Sequence, residues 1–110
     1  MSFMEETIDR VWEKAQYVNS ENERLGFRKD VCGAWIKRDQ YGNRKNPWGW
    51  EIDHIIPEAR KGSDVPINLR PLQWQNNVAR SDDRLTCAVT AQGTRNVAVG
   101  ISALASLLSR

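Results

Sequence analysis

The pattern of apolar positions near the start of the chain predicts a helix. Apolar residues recur at helical spacing within residues 8–18, and Thr7 and Asp9 stand where an N-cap and a first-turn acid belong. The polar residues 19–22 mark the exit from this helix. A second set of apolar residues at helical spacing, within residues 100–110, predicts either a docked helix or a frayed tail.

Between these segments the pattern changes to short extended runs separated by turn residues. The strand-like runs are residues 32–37, 48–56 and 69–72, with two more within 85–99. Pro57 ends the second run, the polar residues 58–66 predict a loop, and residues 73–80 predict a short helix because they contain no breaker. This order predicts a small α+β fold, and 110 residues suffice for about one hydrophobic core, so residues 1–110 are expected to form a single domain.

Composition places the chain among folded proteins and disfavours a membrane protein. Hydrophobic residues make up 40% and charged residues 27%, both near the average for soluble domains. The longest apolar run, residues 97–108, is short of the roughly 20 residues that a membrane-spanning helix needs. The first residues are acidic, unlike a signal peptide. We therefore expect a cytoplasmic protein with no membrane partner.

The cysteine and histidine content bounds the metal chemistry. Cys32 and Cys87 are the two cysteines, they form no C-x-x-C pair, and the chain has one histidine. Together these residues are one short of a Cys/His tetrahedral site, so no structural zinc is expected. Two free, reduced thiols and a core held by burial alone are the predictions.

The net charge of +2 divides unevenly along the chain. Residues 24–80 contain eleven basic and six acidic residues, while residues 1–23 are net acidic. A basic centre beside an acidic end suits a polyanion partner. The alternative is that these charged residues only solvate the surface.

One segment combines residues that can perform hydrolysis. Asp53 and His54 end a predicted strand, Asn68 precedes the return strand, and Asn77 lies in the predicted helix. Strand–loop–strand–helix order folds back on itself, so His54, Asn68 and the helix can meet around one cavity. A carboxylate binds Mg²⁺ or Mn²⁺, and a neutral imidazole takes a proton from water near neutral pH.

These residues resemble the motif of the HNH endonucleases, the ββα-metal nucleases that include the colicin DNases and one nuclease domain of the CRISPR effector proteins. The resemblance is dense over about residues 41–82. Within this range, residues 62–64 and 68–72, outside the four motif positions, also resemble the family sequences. It implies a ββα-metal finger within the α+β domain, accompanied by the N-terminal helix and flanking short strands. It also implies hydrolysis of DNA to a 3′-hydroxyl and a 5′-phosphate, with one strand nicked at a time.

The resemblance implies a role for each motif residue. Asp53 would bind the metal and His54 would act as general base, while Asn68 would orient His54 across the loop. Asn77 stands where the family often has histidine, and would be the second ligand to one Mg²⁺ or Mn²⁺ ion. Apart from the resemblance, Glu51 lies two residues before Asp53 on the same strand face and is a further candidate for the metal shell, although a surface role remote from DNA is the favoured interpretation.

DNA is the expected partner, and no obligate protein partner is evident. The candidate phosphate contacts are Arg60, Lys61, Arg70 and Arg80. Two alternatives stay open. One is a catalytically inactive, HNH-derived nucleic-acid-binding module, for which Asn77 in place of histidine is the supporting feature. The other is a phosphodiesterase acting on RNA or on small nucleotides.

Overall fold

The chain folds as a small α+β protein of three helices and three antiparallel strand pairs in the computed structural model, which describes residues 3–81 and 84–100. The helices are α1 (Glu5–Trp12), α2 (Ser20–Arg24) and α3 (Trp74–Ala79). The strands are β1 (Phe27–Lys29), β2 (Trp35–Lys37), β3 (Trp50–His54), β4 (Leu69–Gln73), β5 (Val89–Gln92) and β6 (Arg95–Ala98). Each strand pairs with its neighbour in sequence, as β1–β2, β3–β4 and β5–β6.

Helix α1 differs from its prediction at both ends. It begins at Glu5 after Met4, so Thr7 lies inside the helix and is not its N-cap. It ends at Trp12, well before residue 18, because the chain then pairs as a strand instead of continuing the helix. The backbone groups of Gln16 and Lys29 exchange hydrogen bonds of 2.8 and 3.1 Å there. This pairing joins residues that are distant in sequence, and helical spacing alone does not reveal it.

The centre of the chain follows its predicted pattern. Strand β3 lies inside the predicted run 48–56, β4 extends the predicted return strand to Gln73, and α3 follows directly. In this pair Asp53 lies opposite Arg70 and His54 opposite Leu69. The Gln73 side chain accepts hydrogen bonds from two backbone N–H groups of the first turn of α3, which explains why the helix begins there.

The core lies between α1 and the central strands. Trp50, which is fully buried, packs its ring 5.2 Å from that of Trp12. The other buried members of this cluster are Ile8, Val11, Ala15, Ile36, Ile52 and Leu69. Lys14, just after α1, donates a hydrogen bond to the carbonyl of Leu69 at 2.7 Å and contacts that of Pro66. These contacts hold the start of β4 against the N-terminal region.

The prediction of two free thiols is wrong. Cys32 and Cys87 form a disulfide that joins the turn between β1 and β2 to the segment before β5. Burial is therefore not the only contribution to stability, since the bond closes a loop across a sequence separation of 55. The two positions are brought together by the fold, not by local sequence.

Two further expectations concern the C-terminal segment and the absence of a membrane-spanning helix. The predicted helix or tail at residues 100–110 falls, from residue 101 onward, outside the described residues. Within residues 3–81 and 84–100, no helix has the length and apolar character needed to span a bilayer.

Candidate functional site

Strand β3 presents two different faces. Successive side chains of a strand project to opposite sides, so Glu51 and Asp53 share one face and Ile52 and His54 share the other. Helix α3 lies over the first face, where Asn77 donates a hydrogen bond to Glu51. We call Glu51, Asp53 and Asn77 the Asp53 face.

The His54 side chain lies among carboxylates of the following loop. Its Nε2 atom is 2.7 Å from Oδ1 of Asp64 and 3.5 Å from Oε1 of Glu58. The ring of Phe3 lies 6.1 Å away. We call His54, Glu58 and Asp64 the His54 cluster. Its three potential ligand atoms lie within 4.8 Å of one another, which is compatible with a bound cation as well as with an acid–base pair.

Asn68 fastens the loop that carries these carboxylates. Its side chain accepts a hydrogen bond from the Ile56 N–H at 2.8 Å, and donates to the carbonyls of Ile56 and Ser63 at 3.1 and 2.8 Å. Gly62 lies so close to this segment that a Cβ atom there would be 1.6 Å from the Ile56 carbonyl oxygen. Asn68 is buried and touches the loop backbone, so its contacts are those of an anchor.

Asp53 is enclosed by arginines. Its side chain is 5% exposed, and Oδ2 accepts a hydrogen bond from Nε of Arg70 at 2.8 Å. The Nε atom of Arg80 lies 3.2 Å from the same oxygen but makes no hydrogen bond to any described residue. A buried donor that lacks a partner is uncommon in folded proteins. The polar groups around Asp53 are therefore incompletely satisfied.

Glu51 has its own set of partners. Arg44 makes two hydrogen bonds to its carboxylate, at 2.6 and 2.9 Å, and Asn77 Nδ2 donates a third at 2.8 Å. Burial raises the pKa of Glu51, but the Arg44 and Asn77 hydrogen bonds and the Arg44 charge outweigh that effect and lower it. Asn77 thus contacts Glu51, which the sequence had suggested only as a further candidate for the metal shell.

The four predicted phosphate contacts divide into two pairs. Arg70 and Arg80 are directed at Asp53, and Arg80 also donates a hydrogen bond to the Ile55 carbonyl at 2.6 Å. Arg60 and Lys61 are exposed on the loop that carries the His54 cluster. Lys61 is therefore better placed than Arg70 or Arg80 for contact with an external phosphate.

The donor chemistry of the Asp53 face fits a hard divalent cation. Glu51 and Asp53 offer carboxylate oxygens and Asn77 offers an amide oxygen, which are the ligand types that Mg²⁺ and Mn²⁺ prefer. In this conformation Arg44, Arg70 and Arg80 balance the two carboxylates. A cation binding here would have to share or replace those ion pairs.

A second polar network, which the sequence did not predict, connects the turn between β1 and β2 with the end of β4 and with α3. The buried Asp30 accepts four hydrogen bonds of 2.8–3.0 Å, from the N–H groups of Cys32, Ala34 and Gln73 and from the Asn76 amide. The Asn76 Oδ1 atom also accepts hydrogen bonds from the N–H groups of Ala88 and Val89, at 2.7 and 2.8 Å. We call Asp30, Gln73 and Asn76 the Asp30 hub. The only sequence signal is the turn-forming order of Asp30 and Gly33.

Comparison of the chain with protein-family models, with curated proteins and with solved structures gave no significant match in any of the three.

Proposed function

We propose that this chain is a divalent-metal-dependent endonuclease of the HNH type that hydrolyses DNA and nicks one strand at a time. One observation carries the proposal. At the end of β3, the His54 imidazole contacts the Asp64 carboxylate. The residue before His54 belongs to the Asp53 face, which offers three oxygen-bearing side chains. The β3–β4–α3 order and the position of Asn68 in the loop agree with the motif that suggested this family.

In this proposal His54 takes a proton from the attacking water, while Asp53 and Asn77 hold the cation. The bound cation would stabilise the charge that develops on the phosphoryl group and on the departing 3′-oxygen. Lys61, which is exposed on the loop between Glu58 and Asp64, would contact a phosphate of the strand. Asn68 would keep the loop closed against the end of β3.

Nicking of supercoiled plasmid, with Mg²⁺ or Mn²⁺ and with an EDTA control, tests the proposed activity. We expect the nicked circle to form before linear DNA. His54→Ala should lower the rate by about 10²–10⁴-fold, since general-base catalysis typically contributes that much. Asp39→Asn, at an exposed position outside the site, is the control and should cleave like the parent. Equal rates for the parent and His54→Ala would reject His54 as the base.

Calorimetry with Mn²⁺ tests the ligands without relying on cleavage. Asp53→Asn and Asn77→Ala should weaken binding, whereas Val78→Ala, an exposed neighbour on α3, should not. Asn77→His should improve binding of Ni²⁺ and Zn²⁺, because imidazole nitrogen suits these metals better than an amide oxygen. If Asn77→Ala binds Mn²⁺ like the parent, Asn77 is not a ligand and Glu51→Gln becomes the next variant to measure.

The second candidate is a catalytically inactive nucleic-acid-binding module. The observation that favours it is the pairing of Asp53 with two arginines, which neutralises the carboxylate that a cation would need. Such a module would bind a DNA duplex in a salt-dependent manner, because cationic side chains displace counterions from phosphates. Retarded duplex on a native gel, without nicking in any divalent metal, would select this candidate.

A further inference from the structure

The contact between His54 and Asp64 assigns the protons of the imidazole. An ionised carboxylate can only accept hydrogen bonds, so Nε2 must donate across the 2.7 Å that separates it from Asp64. In a neutral imidazole the other nitrogen, Nδ1, then has a free lone pair. Glu58, at 3.5 Å from Nε2, is too distant to replace Asp64 as the acceptor.

The loop holds Asp64 in place independently of His54. The Asn68 side chain joins Ile56, two residues after His54, to Ser63, the residue before Asp64. Asn68 therefore fixes both ends of the segment that brings the carboxylate to the ring. This gives the central asparagine of the motif a physical task, which is to close the loop on the His54–Asp64 pair.

We infer that Asp64 is the positioning residue of the reaction, holding His54 through Nε2 so that Nδ1 faces the attacking water. This inference rests on the proposed function. Nδ1 accepts a proton from water, and the resulting hydroxide forms the new bond to phosphorus. The 3′-oxygen departs with the electron pair of the broken P–O bond and takes a proton from solvent. Asp64 stays ionised throughout and stabilises the imidazolium.

The single histidine of this chain makes the assignment directly measurable. In protein labelled with ¹⁵N-histidine, at about pH 8.5 where an ordinary histidine is neutral, we expect a protonated Nε2 and an unprotonated Nδ1. The Nε2 proton should be visible because the hydrogen bond slows its exchange with water. Asp64→Ala should lose that proton signal, and Asp64→Glu should restore part of it. A parent spectrum with the proton on Nδ1 would overturn the inference.

Kinetics then separate positioning from folding. Asp64→Ala should lower kcat by about 10- to 100-fold, the size of effect expected when a reacting group is misplaced, with little change in KM. Its unfolding midpoint should match that of Asp39→Asn, because the Asp64 side chain is 47% exposed and exposed pairs stabilise little. Asp64→Glu should recover part of the rate.

Three outcomes would overturn the assignment, and they are distinguishable. If the parent nicks no DNA with any metal, the proposed function fails and the role of Asp64 fails with it. If the parent nicks and Asp64→Ala nicks at the same rate, only the role of Asp64 fails. If equimolar Zn²⁺ replaces the Nε2 proton in the ¹⁵N spectrum, the His54 cluster is a metal site and Nε2 is a ligand.

Discussion

The Asp30 hub and the His54 cluster each surround one ionisable side chain with polar partners, but only the hub is enclosed. Asp30 is 2% exposed, and its four donors come from two separate segments of the chain, residues 32–34 and 73–76. In the His54 cluster, Glu58 and Asp64 keep 59% and 47% of their side chains exposed. The enclosed network has no capacity left for a ligand. The open cluster can exchange partners with water or substrate.

Two adjacent asparagines of α3 show the same contrast within one turn of helix. Asn76 is completely buried and all its amide hydrogen-bonding positions are used in the hub. Asn77, the next residue, faces the partly exposed Glu51. The hub therefore orients α3, and this orientation presents Asn77 to the Asp53 face. The two asparagines act differently because Asn76 is closed off from solvent within the hub, whereas Asn77 contacts a partly exposed side chain.

The largest expected effect comes from replacing one acceptor oxygen of Asp30 in the hub. In Asp30→Asn, an amide NH₂ replaces one oxygen, so two buried N–H donors lose their acceptor. We expect the free energy of unfolding to fall by about 3–5 kcal/mol. Glu58→Gln in the open cluster should change it by no more than about 0.5 kcal/mol. Urea unfolding of both variants measures the difference, and equal losses would remove the distinction between the two regions.

Removing the disulfide should have the next largest effect. It constrains the turn that contains Asp30, and its loss should lower the free energy of unfolding by about 2–4 kcal/mol. Unfolding curves with and without dithiothreitol measure this loss, and a Cys32→Ala/Cys87→Ala double variant should not respond to the reductant. Two titratable thiols in the unfolded, untreated protein would contradict the disulfide itself.

A smaller loss of stability is expected from Gly62→Ala, which changes only the loop that carries the carboxylates of the His54 cluster. The added methyl group would overlap the Ile56 carbonyl, so the loop must shift at a cost of about 1–3 kcal/mol. Nicking should fall with it, because the loop carries Asp64. The exposed neighbour Ser63→Ala is the matched control, for which parent-like stability and rate are expected. Unchanged nicking in Gly62→Ala would mean that loop closure does not limit the reaction.

The smallest effect is the pH dependence that the hub contributes. Burial raises the pKa of Asp30 above its ordinary value of 3.8, by more than its four hydrogen bonds lower it. Its contribution to stability is therefore present below pH 3.8 and is lost as pH rises through the raised pKa. The ¹³C shift of the Asp30 carboxyl carbon, followed against pH, reports this pKa, and a midpoint below 3.8 would contradict the direction.

The parts of the fold that were predictable depend on local pattern. The extended runs 48–56 and 69–72 and the breaker-free segment 73–80 identified β3, β4 and α3, because the signals for these elements lie within each element. The early end of α1 was not predictable, since it depends on the distant Lys29. The disulfide likewise depends on a contact across 55 positions.

Predictability of the site follows the same division. Asp53, His54, Asn68 and Asn77 were selected from motif spacing, and their roles stay predictions. Partners could not be read from the sequence, because Arg70 reaches Asp53 only through cross-strand register. Asp30 and Asn76 were overlooked because polar residues are usually exposed, and burial of a polar side chain becomes visible only when its hydrogen-bond partners are known.

The disulfide also determines what proteolysis would do to this molecule. The exposed Arg60 and Lys61 lie within the covalent ring closed by Cys32 and Cys87, so trypsin acting there would cut the chain without releasing a fragment. One piece would carry Asp53 and His54, and the other would carry Asn77. On a denaturing gel without reductant the cut protein would run as one species, and with reductant as two. The bond therefore makes a two-chain form of this protein accessible, in which the halves of the motif stay joined although the backbone between them is broken.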